Sequence, residues 1–322
     1  MTSTTPEELS AGGYASRRRM RPGDIVFQGV AFLAAAGVTV LLGLLAYKVV
    51  AQAWPAIRHF GVSFVWTNAW NPNNDVFGAA SFIFGTVVTS FIALLIATPI
   101  SIAIALFLTE IAPRRIAAPI ATVVELLAAI PSVVLGLWGI LVFGPWMNDH
   151  LEPGLKSAFG FLPIFSGPTY QAGILPAALI LTIMIVPIIS ALCRELFSRI
   201  PRDLTDGSLA LGSTKWEAIR RVGLPYAAPG ISAAMLLGLG RAFGEAIAVA
   251  QVIGGQVAIS RSLFHPGDTL GARIALQYQG ATTGLETNSL LYLGAILMVI
   301  SLVTNVAAQG IVSRFEKARR LH

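Results

Sequence analysis

The chain has 322 residues, of which 12% are charged and 55% hydrophobic, with a net charge of +6 and a mean hydropathy of +0.73. A soluble domain carries roughly twice that charged fraction to cover its surface, so the ordinary soluble classes are excluded and a membrane protein is indicated. The positive balance needs no nucleic-acid partner, because the basic residues gather at the ends of apolar runs, the pattern that orients a membrane protein.

Residues 1–24 are polar and carry Arg17, Arg18, Arg19 and Arg21; they read as a cytoplasmic tail. The first apolar run starts late and lacks a small-residue cleavage pattern, so no signal peptide is expected. A helical span needs about 20 apolar residues. Six runs qualify: Ile25–Val50, Ser81–Leu108, Ile116–Phe143, Ala172–Cys193, Pro229–Ile253 and Ser289–Val312. The expected fold class is all-α and polytopic, with six transmembrane helices. Residues 25–315 form one membrane domain and residues 316–322 a second cytoplasmic tail. Pro99, Pro131, Pro176 and Pro187 interrupt the runs, which membrane helices tolerate when neighbours satisfy the freed carbonyls.

With both termini inside, the inner segments hold sixteen Lys and Arg residues and the outer ones Lys48, Arg58, Lys156, Arg261 and Arg273. That asymmetry favours this orientation. The outer connections are then 51–80, 144–171 and 254–288. The first contains Trp54, Trp66 and Trp70, residues suited to a membrane–water interface.

The inner connection of about 194–228 is longer than a turn requires. Leu204, Leu209, Leu211, Trp216, Ile219 and Val222 punctuate its charges, Asp203 and Asp206 are candidate N-caps, and Gly212 falls between two apolar patches. Two short amphipathic helices with a sharp turn would make a knob on the inner face. A solvated hairpin is the alternative reading of the same pattern.

The fifth run contains Gly238-Leu239-Gly240-Arg241-Ala242-Phe243-Gly244-Glu245. Charges in hydrocarbon are costly and mark function by default. Arg241 and Glu245 are four apart, so on a helix they share a face and can pair. Gly240 and Gly244 would admit a neighbouring helix. Arg keeps its charge in an apolar setting and offers a planar fork of donors to an oxyanion. Glu245 would either neutralise Arg241 in the empty pathway or accept a proton from a protonated oxyanion; a purely structural ion pair is the alternative. Glu125 is a third charge within a run. It could line the pathway, pair with Arg241, or accept hydrogen bonds from backbone groups freed by a proline. Thr86, Thr89, Ser90 and Ser132 are expected to bond their own helix carbonyls.

Cys193 is the single cysteine, which excludes an intramolecular disulfide. His59, His150, His265 and His322 have no ligand-spaced partners, so no metal site is expected. No Gly-x-x-x-x-Gly-Lys-Ser/Thr stretch occurs, hence no phosphate-cradling ATP loop. No catalytic residue is expected and the chain reads as a transport component, not an enzyme.

The inner loop is similar to the cytoplasmic "EAA" loop of ABC importer permeases. The match falls on Asp206-Gly207-Ser208, then Gly212, then Leu224-Pro225. Asp replaces the family's Glu, and Gly and Ser replace its two Ala. The resemblance implies the ABC importer permease fold and a coupling helix, including Trp216, that seats in a cytoplasmic ATPase. Within that superfamily three stretches resemble the phosphate-importer permeases. They are Gly238 to Val249, Trp70-Asn71-Pro72 with Phe77-Gly78 and Gly85-Thr86, and Glu125 to Val134 with Gly136-Leu137-Trp138-Gly139. The resemblance implies half of a phosphate pathway in a bacterial cell membrane, paired with a second, PstA-like permease. It further implies two copies of a PstB-like ATPase, which uses the ATP, and an extracytoplasmic PstS-like phosphate-binding protein. No cofactor is expected on this chain itself. The alternatives are the PstA-type sister subunit, a sulfate or molybdate permease, and a passive anion channel that would not need the knob.

Overall fold

The computed structural model describes residues 22–319. Arg17, Arg18, Arg19, Arg21 and Arg320 lie outside the described residues. The chain divides into two units between Lys48 and Val49. Helix α1, Pro22–Phe60, begins in the first unit. There it presents an almost continuous apolar surface, with Phe27, Phe32, Leu41 and Leu45 all exposed.

In the second unit a single helical turn at Ser63–Trp66 leads into a two-stranded antiparallel hairpin. Strands β1 (Trp70–Asn71) and β2 (Val76–Phe77) pair with Trp70 opposite Phe77. Helix α2 spans Ala80–Ile111, its last turn widened to a π-turn at Phe107–Ile111. Helices α3 (Arg114–Ala128) and α4 (Ser132–Phe159) follow. Next come α5 (Ile174–Ser198), α6 (Arg202–Ala210) and α7 (Lys215–Gly244). Short helices α8 (Ile247–Val252) and α9 (Leu270–Gln277) precede α10, Gly284–Arg319.

Among the described residues five helices are long and apolar enough to cross a membrane, and a sixth span results when α3 and α4 count as one bent pair. The expected number of spans therefore holds, with two corrections. The third is no single rod, because α3 and α4 meet at 90°. Pro131 causes the break: its ring disfavours the helical conformation of Ile130, and it opens α4 as a cap residue with extended backbone. The fifth run is cut at Glu245, whose ψ of 115° leaves the helical region, so Ile247–Val252 forms a separate helix.

Helix α5 is the centre of the unit, and α2 is its most extensive partner. On α2, Ala93, Ala97, Ser101 and Ala105 recur every fourth residue and are all fully buried. Small side chains at that spacing let two helix backbones approach closely. Polar bonds cross the seam: Ser101 Oγ donates to the Val186 carbonyl at 3.1 Å, and Thr182 Oγ1, bonded to the Ala178 carbonyl of its own helix, also lies 3.5 Å from the Ala93 carbonyl of α2. Ile180, Leu181, Ile185, Ile189 and Cys193 of α5 fill the same core, to which α7 adds Ile231 and Ala234. Cys193 is thus a buried apolar-like residue.

Candidate functional site

Helix α7 begins in the connection and runs without interruption through Leu224 and Pro225 to Gly244. At 1.5 Å per residue, Lys215 and Arg241 lie about 39 Å apart along one helix. Adjacency in sequence is therefore not adjacency in space: the knob and the charged pair sit near opposite ends of a single rod.

At the far end of that rod, Arg241 and Glu245 line an open groove of ≈ 620 Å³ together with Ile188, Leu237, Gly240 and Asn305. Arg241 is exposed to this space and has no ion-pair partner among the described residues. The pairing expected from i, i+4 spacing is not made, because the helix ends between the two residues. Glu245 instead accepts the backbone N–H of Ala248, in the first turn of α8, at its Oε1, 3.2 Å away. The groove thus presents a guanidinium with its donors unengaged beside a carboxylate that is partly occupied.

Gly240 and Gly244 open onto the same groove, and a Cβ on either would meet nothing within 4 Å. The close helix contact expected at these two positions is not made within this chain. Gly238 makes it: a Cβ there would stand 2.7 Å from Ile189 Cδ1 on α5. The helical repeat explains the swap: at about 100° per residue, Gly238 stands about 160° from Gly240 and about 120° from Gly244 around the helix, so it meets a different neighbour. Asn305, from α10, is the polar groove residue that sequence reasoning missed. Its signal was an amide inside an apolar run, Ser289–Val312, that also holds Gln309.

Glu125 lies elsewhere. It pairs with Arg194 at the end of α5, with its side chain 54% exposed. The option of pairing with Arg241 is not realised. Thr86 and Thr89 do bond their own helix, donating to the Phe82 and Gly85 carbonyls at 2.7 Å each. Thr86 Oγ1 also accepts the Leu270 N–H at 2.9 Å, a contact across 184 residues.

That contact belongs to a buried polar lock. Asp268 and Arg273, read from sequence as part of a polar connection, are 1% and 8% exposed and paired at 2.6 Å. Arg273 also donates to the Gly255 carbonyl at 3.1 Å and lies over the Phe82 ring at 4.8 Å. Asp268 Oδ1 accepts the Thr269 N–H at 2.8 Å. Burial pushes the Asp268 carboxyl above the usual carboxylate range, and the Arg273 guanidinium pulls it part of the way back. Trp70, Phe77 and Phe82 pack edge to face around the pair, and a Cβ on Gly85 would run into the Asp268 carbonyl. The residues Trp70, Phe77, Gly85 and Thr86, separate in sequence from this segment, are therefore its seat.

The knob has the expected two-helix form. Gly212 turns the chain between α6 and α7 with φ +89°, a conformation that L side chains rarely adopt. Neither aspartate caps a helix. Pro201 precedes α6, with Asp203 in its first turn and Asp206 in its interior. Thr214 caps the next helix in a capping box with Glu217, whose Oε2 accepts the Thr214 N–H at 2.9 Å. Ser208 and Ser213 hydroxyls bond at 3.0 Å across the turn, and Gly207 is open on its outer side. Lys215 Nζ donates to the Glu110 carbonyl, tying the knob to the end of α2. Leu211 at 90% and Trp216 at 61% are left exposed, an apolar surface that a solvated hairpin would not present.

Residues 97–319 match the family model for the binding-protein-dependent transport system inner membrane component. The chain is 42% identical to the phosphate transport system permease protein PstC of Mesorhizobium japonicum, covering 94% of each chain. It is 40% identical to PstC of Pasteurella multocida, over 91% of this chain and 93% of that one. Among solved structures it is similar in fold to a chain of a bacterial alginate ABC transporter, with a TM-score of 0.61, 17% identity and coverage of 91% and 96%. The chain belongs to the binding-protein-dependent transport system inner membrane component family and, within it, to the PstC permeases.

Proposed function

We propose that this chain is the membrane permease subunit of an ATP-driven phosphate importer, in which it forms half of the translocation pathway. The observation that carries the reading is the unpaired Arg241 guanidinium facing an open groove at the end of a membrane helix. An unpaired cation within a membrane span calls for an anionic occupant. Phosphate suits it, because the guanidinium can donate to two of its oxygens at once. Glu245 offsets the cation when the groove is empty, so the pathway carries no net fixed charge.

The knob around Gly212 and Trp216 is the seat for a cytoplasmic, PstB-like ATPase, with both termini of this chain on the same side. That ATPase, in two copies, uses the ATP. This chain binds none. A second, PstA-like permease supplies the other half of the pathway, and a PstS-like protein delivers phosphate from outside. ATP binding closes the ATPases, α7 moves as a rigid lever because it is one helix from Lys215 to Gly244, and the groove changes its exposure from one side to the other. Residues 1–24 and 316–322 form the cytoplasmic tails of a bacterial cell-membrane protein.

Purification of the tagged chain from membranes tests the assembly, and the expected companions are one other permease and one ATPase. Phosphate uptake by the Arg241→Gln variant tests the site, with an expected loss of two orders of magnitude at normal membrane levels. Uptake that persists without ATP, or after the knob is replaced by a plain linker, would favour the passive channel instead. Normal uptake and normal discrimination against sulfate in Glu245→Gln would remove the role given to Glu245.

A further inference from the structure

The groove has three polar side chains, and they differ in what they can do. Arg241 can only donate hydrogen bonds. An ionised Glu245 can only accept them, repels an anion, and already receives the Ala248 N–H. Asn305, the third, is neutral and can do both: its carbonyl accepts and its amide donates.

Its setting is apolar: Asn305 lies within the span Gly284–Ala307, itself exposed, among the exposed side chains of Leu302, Val303 and Val306. A polar side chain inside a membrane span marks function by default. Among the described residues Asn305 makes no hydrogen bond, and α10 brings it to the groove that α7 lines with Arg241. The unspent donor and acceptor face the same space as the unspent guanidinium.

We infer that Asn305 is a binding residue for the transported anion and that it selects a protonated tetrahedral oxyanion over an unprotonated one. This rests on the proposed role of Arg241 in phosphate passage. Phosphate at neutral pH, as monoanion or dianion, keeps at least one P–OH group, and arsenate does the same. Sulfate keeps none. The Asn305 carbonyl accepts the P–OH proton while its N–H donates to an unprotonated oxygen. Sulfate turns an oxygen lone pair toward that carbonyl and leaves it unpaired. A site built to pair a substrate hydroxyl rejects the analogue lacking it, because the site's own polar group is then left without a partner.

The test uses the complete transporter complex in lipid nanodiscs, with equilibrium binding of radiolabelled inorganic phosphate and competition by arsenate and sulfate. Asn305→Leu is expected to weaken phosphate binding about tenfold or more, the range of one hydrogen bond to a charged group, and to leave sulfate competition unchanged, so the preference narrows. A second variant, Asn305→Cys, is read by labelling with a charged thiol reagent; the native Cys193 is buried and contributes little background. Millimolar phosphate and arsenate should protect it, which places the anion at position 305 independently of the residue that sets the selectivity. Unchanged phosphate affinity and unchanged selectivity in Asn305→Leu would overturn the inference. So would an unprotected Asn305→Cys, including the case where Asn305→Leu fails to assemble because the amide bonds a neighbouring helix. Arg241→Gln separates the two levels of the argument. If it binds phosphate as tightly as the unaltered complex, the reading of the groove falls and Asn305 falls with it; if it loses binding while Asn305→Leu does not, only Asn305 is wrong.

Discussion

Asp268 and Arg273 form an ion pair at 2.6 Å, 1% and 8% exposed, seated on Gly85, Thr86 and the aromatic group of Trp70, Phe77 and Phe82. The two partners are not equivalent. A buried carboxyl can take up a proton and become neutral; a guanidinium cannot. Asp268→Asn leaves a permanent cation in a closed site, and should cost about 3–5 kcal/mol at pH values where Asp268 is ionised. Arg273→Gln removes the charge that now pulls the Asp268 carboxyl down, so its pKa rises further. A carboxyl raised in the fold favours folding below its unfolded value, and that benefit is lost as pH rises through the folded value. Arg273→Gln should therefore be nearly as damaging as Asp268→Asn at high pH and recover on acidification. Thermal unfolding in detergent across pH decides this, and equal, pH-independent losses would refute it.

Gly238 and its neighbours at 240 and 244 should separate cleanly. A Cβ at Gly238 would stand 2.7 Å from Ile189 Cδ1, so Gly238→Ala overpacks the α5–α7 seam and should cost about 1–3 kcal/mol. Gly240→Ala and Gly244→Ala meet open space in this chain and should leave its own thermal stability unchanged. Loss of co-purification with the second permease in those two variants alone would identify the groove wall as an inter-subunit contact.

Gly212 holds the knob's turn at φ +89°. Gly212→Val places a β-branched side chain in a conformation it disfavours, at a local cost of about 1–3 kcal/mol. The expected outcome is normal membrane insertion with uptake abolished and ATPase co-purification reduced. Insertion with normal transport would show that the knob is not the coupling element.

Glu125 is the charge whose role the structure lowers. Its pairing with Arg194 is more than half exposed on the Glu125 side, and such pairs contribute about 1 kcal/mol or less. Glu125→Gln should leave phosphate uptake within about twofold of normal, and a double-mutant cycle with Arg194→Gln should give a coupling energy below about 1 kcal/mol. A tenfold loss of uptake would return Glu125 to the pathway.

What the sequence determined by itself was everything that local composition can encode. Six apolar runs, a basic–acidic pair inside the fifth and an amphipathic connection with a glycine at its turn are readable because hydrophobicity, charge and left-handed backbone act over a few residues. The spans, the knob and the groove-lining Arg241 and Glu245 follow from them. Periodicity also promised an Arg241–Glu245 pair, and that failed because the helix ends at Gly244, a glycine that the sequence offered equally as a packing residue. The tertiary structure alone decided the rest. Thr86 meets Leu270 across 184 residues and Glu125 meets Arg194 across 69, while Asn305 lines the same groove as Arg241 only because α10 packs beside α7. A polar residue's cost in an apolar setting depends on which distant group arrives to meet it. Asp268 and Arg273, five residues apart in a polar segment, looked like solvated charges until the β1–β2 hairpin and α2 together supplied the aromatic seat that buries them.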